Sequence, residues 1–155
     1  MRASCQGFTL LELMLVVVLA GVLLGVASLA LGNGPARQAR QQAHAMAGLI
    51  EQLRERAVLD GREYGLRVGA EGYQLLRYET LGWEPRGPLK RWPANVRPYL
   101  VQEDRPLYLG QETDTPQLLI LSSDEISPFR LTLEHDGKVL ASLYSDGVGD
   151  VVVDG

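Results

Sequence analysis

From Phe8 to Leu31 the only charged side chain is Glu12, and this one run constrains the chain more than any other feature. Taken as a helix, it would be about 36 Å long at roughly 1.5 Å per residue, against a hydrocarbon layer of about 30 Å. A helix that crosses a membrane, or lies in the core of a helical assembly, is therefore predicted at the N-terminal end. Most of the charges follow Pro35. The 155 residues carry 15 Lys and Arg against 19 Asp and Glu, a formal charge of −4, which suits one modest domain behind the apolar run. With no basic tail there is no electrostatic footprint for nucleic acid, whose affinity comes mainly from neutralised phosphates. One cysteine, Cys5, rules out an intrachain disulfide or a Cys-rich zinc site, and two histidines, His44 and His135, leave little for a histidine metal centre.

An ordinary secretory signal peptide is the plain alternative, with Arg2 as its basic region and Ser28-Leu29-Ala30 as small residues for cleavage. Glu12 argues against it, because an ionised carboxylate in a membrane segment is costly and usually marks a function. A lipoprotein signal fails because Cys5 precedes the apolar run. Gly7-Phe8-Thr9-Leu10-Leu11-Glu12 resembles the class III signal of type IV pilins and type II secretion pseudopilins: a short leader ending in Gly, then Phe, then Glu four residues on. The resemblance implies that a prepilin peptidase removes residues 1–7 by cutting between Gly7 and Phe8 at the cytoplasmic face. It also implies that Phe8 is N-methylated and that a hydrophobic membrane or filament-core helix, residues 8–34, is retained. Glu12 then acquires an assembly role. An unpaired carboxylate among packed apolar helices costs several kcal/mol, and the Phe8 amine of a neighbouring subunit supplies the cation, its charge kept on methylation. Charge counting does not choose the topology, since Arg2 lies before the run and Arg37 and Arg40 after it. A cytoplasmic N-terminus in the bacterial inner membrane with a periplasmic head follows from the resemblance alone.

Asn33-Gly34-Pro35 predicts a kink or short unwound stretch, because Gly is a poor helix former and Pro lacks a backbone donor. Beyond it Ala39, Ala43, Met46, Ile50, Leu53 and Ala57 recur at spacings of four and three, one apolar stripe on an amphipathic helix over 35–61 that stops at Gly61. Arg37, Arg40, Glu51, Arg54, Glu55 and Arg56 read as its solvated face. His44 has no neighbours at ligand spacing and reads as structural or exposed. After Gly61 the period changes to that of strands: 63–68, 72–79, 117–121, 129–134, 138–145 and 148–153, with Asp136-Gly137 a strong two-residue hairpin turn. The expected architecture is α+β: a long N-terminal hydrophobic then amphipathic helix, pilin-like, packed on an antiparallel β head over 62–155.

Gly82 to Pro106 breaks every period, with five prolines, and reads as a long loop. Within it Trp83, Arg86, Arg91 and Trp92 form a candidate partner interface, since Trp and Arg are enriched at binding hot spots; equally, both Trp side chains suit core anchors. The run Ser123-Asp124-Glu125-Ile126-Ser127-Pro128-Phe129-Arg130-Leu131-Thr132-Leu133, followed by Asp136-Gly137, resembles the end of the H-type minor pseudopilins of type II secretion, the GspH/FimT-like group. Major pseudopilins end in a calcium loop. Asp146, Asp150 and Asp154 invite that comparison, but their spacing resembles no such loop, and no metal or cofactor is expected. Catalytic motifs are missing: there is no Gly-x-Ser-x-Gly elbow and no phosphate-binding Gly-rich loop. Ser122 or Ser123 with His135 is a cheap coincidence.

The resemblance implies a structural subunit and not an enzyme: a minor pseudopilin in the tip complex of the type II secretion pseudopilus, supporting protein export across the outer membrane. Its partners would be the other minor pseudopilins, the major pseudopilin, the prepilin peptidase and the inner membrane. Glu12 fits a position below the tip-most subunit, a type that typically lacks this acid. Two alternatives stand beside it. A FimT-like minor pilin for DNA uptake would favour a basic C-terminal region, whereas Ser145 to Gly155 has three Asp and no Lys or Arg. A membrane-anchored periplasmic enzyme finds no site in the sequence.

Overall fold

The computed structural model describes residues 10–31, 34–110 and 113–155, and the side chains of all of these except 24–31. The leader, Gly7 and Phe8 lie outside the described residues, as does Asn33 of the expected kink. Two units are distinguished, Met1–Gly34 and Pro35–Gly155.

The first unit contains α1, Leu10–Leu31, 22 residues long. Its described side chains, Leu10 to Leu23, are exposed all round the helix and apolar except at Glu12. Such a helix needs an apolar surrounding that the unit itself does not supply. Among the residues whose side chains are described no helix is long and apolar enough to cross a membrane.

The second unit starts with α2, Pro35–Asp60. Pro35 occupies the first helical position, where a missing N–H costs nothing. At the other end Gly61 turns left-handed (φ 59°) and Arg62 N donates to Ala57 O at 3.2 Å, closing the helix with a Schellman motif. Ala39, Ala43, Met46, Ile50, Leu53 and Ala57 are all at most 3% exposed, so the spacing of four and three marks the core face. His44 is exposed on the opposite side.

Among the described residues ten strands follow in chain order: β1 Tyr64–Val68, β2 Gly72–Glu79, β3 Gly82–Pro85, β4 Lys90–Arg91, β5 Arg97–Gln102, β6 Arg105–Leu107, β7 Leu118–Ile120, β8 Phe129–His135, β9 Lys138–Ser145 and β10 Val152–Asp154. They form two five-stranded antiparallel sheets. The first has the order β3-β2-β1-β7 with β4 also beside β2, and the second the order β10-β9-β8-β5-β6. The inward residues Leu66, Leu100, Leu131, Leu133, Ala141 and Leu143 are fully buried, in one core with the α2 stripe. Asp136 (φ 49°) and Gly137 (φ 72°) make the β8–β9 turn, both left-handed as a type I′ hairpin turn requires.

Three expectations are corrected. The segment 82–106 is not a long loop: it holds β3 to β5 and most of β6. Its prolines escaped the strand pattern because they sit where a ladder N–H is dispensable. Pro85 is on the edge strand β3, Pro106 on the edge strand β6, and Pro98 in the part of β5 that has β8 on one side only. The final strand begins at Val152 and not at 148, since Asp146 to Val151 form a loop closed over α2. Arg54, expected on the solvated face, is 6% exposed.

Candidate functional site

Glu12 lies in the first turn of α1, where a carboxylate is favoured by the helix N-terminus, and its neighbours Leu11, Leu13 and Met14 are exposed apolar side chains. The site is thus one acid in an apolar sleeve.

The four residues of the candidate head interface are not brought into one patch. β3 pairs with Leu76–Glu79 and β4 with Gly72–Tyr73, so Trp83 and Arg86 stand near one end of the β2 edge and Arg91 and Trp92 near the other. Trp83 is half-buried with its ring edge-on to Tyr78, centroids 5.3 Å apart. Trp92 takes the core role: 8% exposed, its indole N–H donates to Gly69 O at 2.9 Å and its ring lies 5.1 Å from that of Tyr73. Arg86 pairs with Glu79 and with Glu84, the latter at 3.3 Å, and Arg91 with Glu71 at 3.4 Å. Glu79 is the hub of this edge, also accepting from Arg62 at 3.1 Å and from Arg77. Hydrogen bonds from Arg77 and then Arg86 hold its carboxyl below the usual range.

Arg54, a highly connected polar group among the described residues of the head, was not singled out from sequence. It projects from α2 into the loops between β7 and β8 and between β9 and β10. Its Nε donates to Asp124 Oδ1, one terminal nitrogen donates to the carbonyls of Asp124 and Val148, and the other to the carbonyl of Gly149, all at 3.1 Å. One turn back, Glu51 accepts from Val151 N at 3.1 Å and stands 3.5 Å from Arg54. A planar guanidinium presents five donors in a fixed fork from three nitrogens, whereas a lysine ammonium presents three donors from a single atom. A signal for this was present. Ala43, Ala47, Ile50 and Arg54 are spaced four, three and four, a second row beside the apolar stripe, so a core-facing position was legible even where the residue type argued for solvent.

The three C-terminal aspartates are dispersed in role. Asp146 accepts from Val148 N at 3.1 Å and Gly149 N at 2.8 Å, and these backbone donors lower its pKa. Asp150 and Asp154 are exposed. Ser123 donates to Glu125 at 3.3 Å in the turn before β8, whereas His135 ends β8 with Nδ1 2.8 Å from Asn95 O. The strand separates them, and the hydroxyl and imidazole cannot act together.

The prokaryotic N-terminal methylation motif matches residues 2–28. The chain is 44% identical to the type II secretion system protein H of Pseudomonas aeruginosa, over 95% of this chain and 94% of that one. It is 29% identical to the protein of the same name from Aeromonas hydrophila, over 96% and 92%. Among solved structures it is similar to the minor pseudopilin EpsH of the type II secretion system of Vibrio cholerae, with a TM-score of 0.65 at 19% identity over 77% of this chain and 95% of that one. It is likewise similar to GspH of Escherichia coli in solution, with a TM-score of 0.65 at 18% identity over 79% and 92%. At these identities the two structures speak for the fold alone, an α+β head of the pilin-like kind.

Proposed function

The chain belongs to the type II secretion system protein H family, and from that membership we propose that it works as a minor pseudopilin, a structural subunit of the pseudopilus that supports protein export across the outer membrane. The observation that carries the reading is the 44% identity to the Pseudomonas aeruginosa protein across nearly the whole of both chains. In this reading residues 1–7 are a leader cut before Phe8, Phe8 is N-methylated, and the helix that follows anchors the subunit in the inner membrane until assembly. The head then stands in the periplasm. Glu12 accepts the Phe8 amine of an adjacent subunit and sets the axial register between helices, since an apolar core makes an unmatched charge costly on either side. The presence of that acid supports a place in the tip complex beneath the other minor subunits and above the major one. Trp83 and Arg86, on the edge of the first sheet, are proposed to touch a partner; Arg91, a rim charge, adds little.

Intact-mass measurement on protein made together with its prepilin peptidase tests the processing. The expected product begins at a methylated Phe8. A product beginning near Leu31 would replace the pseudopilin reading with an ordinary signal peptide. Complementation of a strain lacking its H-type subunit tests the role: secretion is restored by the full chain, and not by a Gly7→Val form that the peptidase cannot cut.

A further inference from the structure

Alternation along the second sheet sends one set of side chains into the core and the other outward. The outward set forms rows across the strands. Pro106, Val101, Arg130, Tyr144 and Val152 stand side by side in one row, and Tyr99, Thr132, Ser142 and Asp154 in the next. Beyond these come Arg97 opposite Glu134, and Glu134 opposite Val139. Tyr99, Val139 and Val152 are 49%, 62% and 45% exposed, and among the described residues of the head no helix lies over them.

The charges of this face differ from those of the first sheet. There Arg62, Arg77 and Arg86 converge on Glu79 and Arg91 meets Glu71. Arg130 is instead flanked by Val101 and Tyr144, lying over the tyrosine ring at 4.4 Å. Neither Arg130 nor Arg97 has a carboxylate within ion-pair distance among the described residues. An exposed arginine stacked on tyrosine, ringed by apolar side chains, is the composition of a binding hot spot. What Arg130 lacks, among the described residues, is a carboxylate within reach of its own.

We infer that this outer face, centred on Arg130 and Tyr144, docks on a neighbouring filament subunit that presents a carboxylate among apolar side chains. The inference rests on the filament-subunit reading above. Symmetric pairing centred on this cluster would bring Arg130 of one copy against Arg130 of the other, and like charges across an interface are costly. Helical assemblies instead use heterologous contacts, one face against a different one. Nucleic acid fits poorly, because Glu134 and Asp154 share the face.

The test uses the full chain in membranes with the other pseudopilins of its own system. A benzoylphenylalanine at position 132 should crosslink to an identified pseudopilin, and Arg130→Glu should lower that yield at least tenfold with the thermal midpoint unchanged. Arg130→Lys should be intermediate, since an ammonium stacks less well than a guanidinium. Tyr99→Ser is the second variant, and should also weaken the crosslink. A photolabel at Leu13 in α1 separates the two readings. If Leu13 crosslinks to a pseudopilin and position 132 does not, or reaches only another copy of this chain, the face is misassigned while the filament reading stands. If neither label reaches a pseudopilin, both fall. Duplex DNA retained at physiological salt and released by Arg130→Glu would overturn the protein partner in favour of nucleic acid.

Discussion

Arg54 Nε and Asp124 Oδ1 are 3.1 Å apart although 70 positions separate them in the chain. The contact ties the helical stem of the head to the turn that leads into β8. Because the same guanidinium also holds the carbonyls of Val148 and Gly149, one α2 side chain fixes two loops, the one between β7 and β8 and the one between β9 and β10.

Replacing it should therefore loosen both loops at once. Arg54→Met keeps much of the volume and leaves three backbone carbonyls without their donor. The expected loss is about 1.5 to 3 kcal/mol, the range for hydrogen bonds to a charged group. The upper range for a broken buried pair does not apply, since the Asp124 side chain is 59% exposed and solvated. Arg54→Lys should recover part of the loss. Denaturant unfolding of the three proteins decides the order; equal midpoints would make the contacts incidental.

Gly72 predicts a second stability effect, through contact and not charge. An added Cβ would overlap the carbonyl of Lys90 and stand 2.9 Å from Arg91 Cα, both backbone atoms of β4. Neither can move without breaking the β2–β4 pairing. Gly72→Ala should destabilise by about 1 to 3 kcal/mol, as overpacking does. Trp92, next along the chain and bonded to Gly69 O, should report the shift of β4 in its fluorescence.

The Asp146 loop should respond to acid. Backbone donors from Gly149 and Val148 lower its folded pKa, so its contribution is fully present above the unfolded value of about 3.9 and is lost as pH falls through the lower folded value. Exchange protection of the Val148 and Gly149 amides should fall in that acidic window and stay level above it. Asp146→Asn, which keeps an acceptor oxygen and does not titrate, should flatten the profile.

These positions also mark how far the sequence could be read. The α2 stripe and the Asp136-Gly137 turn were legible because burial and left-handed geometry leave local signatures, in spacing and in residue type. β3 to β6 were not. Their prolines are harmless only at unpaired edges, and whether a strand is an edge depends on partners far along the chain, as with Pro98 beside Leu133. Arg54 was misplaced for a related reason: spacing alone puts its position beside the core stripe, but the acceptors that let an arginine be buried there lie 70, 94 and 95 positions away, which no local window contains. Trp92 and Trp83 look alike in sequence, and only the pairing of β4 and β3 at different ends of β2 sends one to the core and leaves the other at an edge.

The last prediction separates assembly from folding at Glu12. The residue belongs to the first unit, and the buried core is built wholly from the second. Glu12→Leu should therefore leave the unfolding of the head unchanged. Membrane residence should not suffer either, because an acid within a membrane helix costs about 2.5 to 3.5 kcal/mol on insertion scales, and the leucine removes that cost. What should fail is docking against a neighbour's Phe8 amine, which would then be buried without its counter-charge, a loss on the order of 3 to 5 kcal/mol. Protein that is present, processed and folded should no longer copurify with the other pseudopilins, and secretion should drop with it. Glu12→Asp keeps the charge on a shorter arm, so it should restore part of both. Normal secretion and copurification by Glu12→Leu would show that register in this subunit is set elsewhere, by helix packing or by the head.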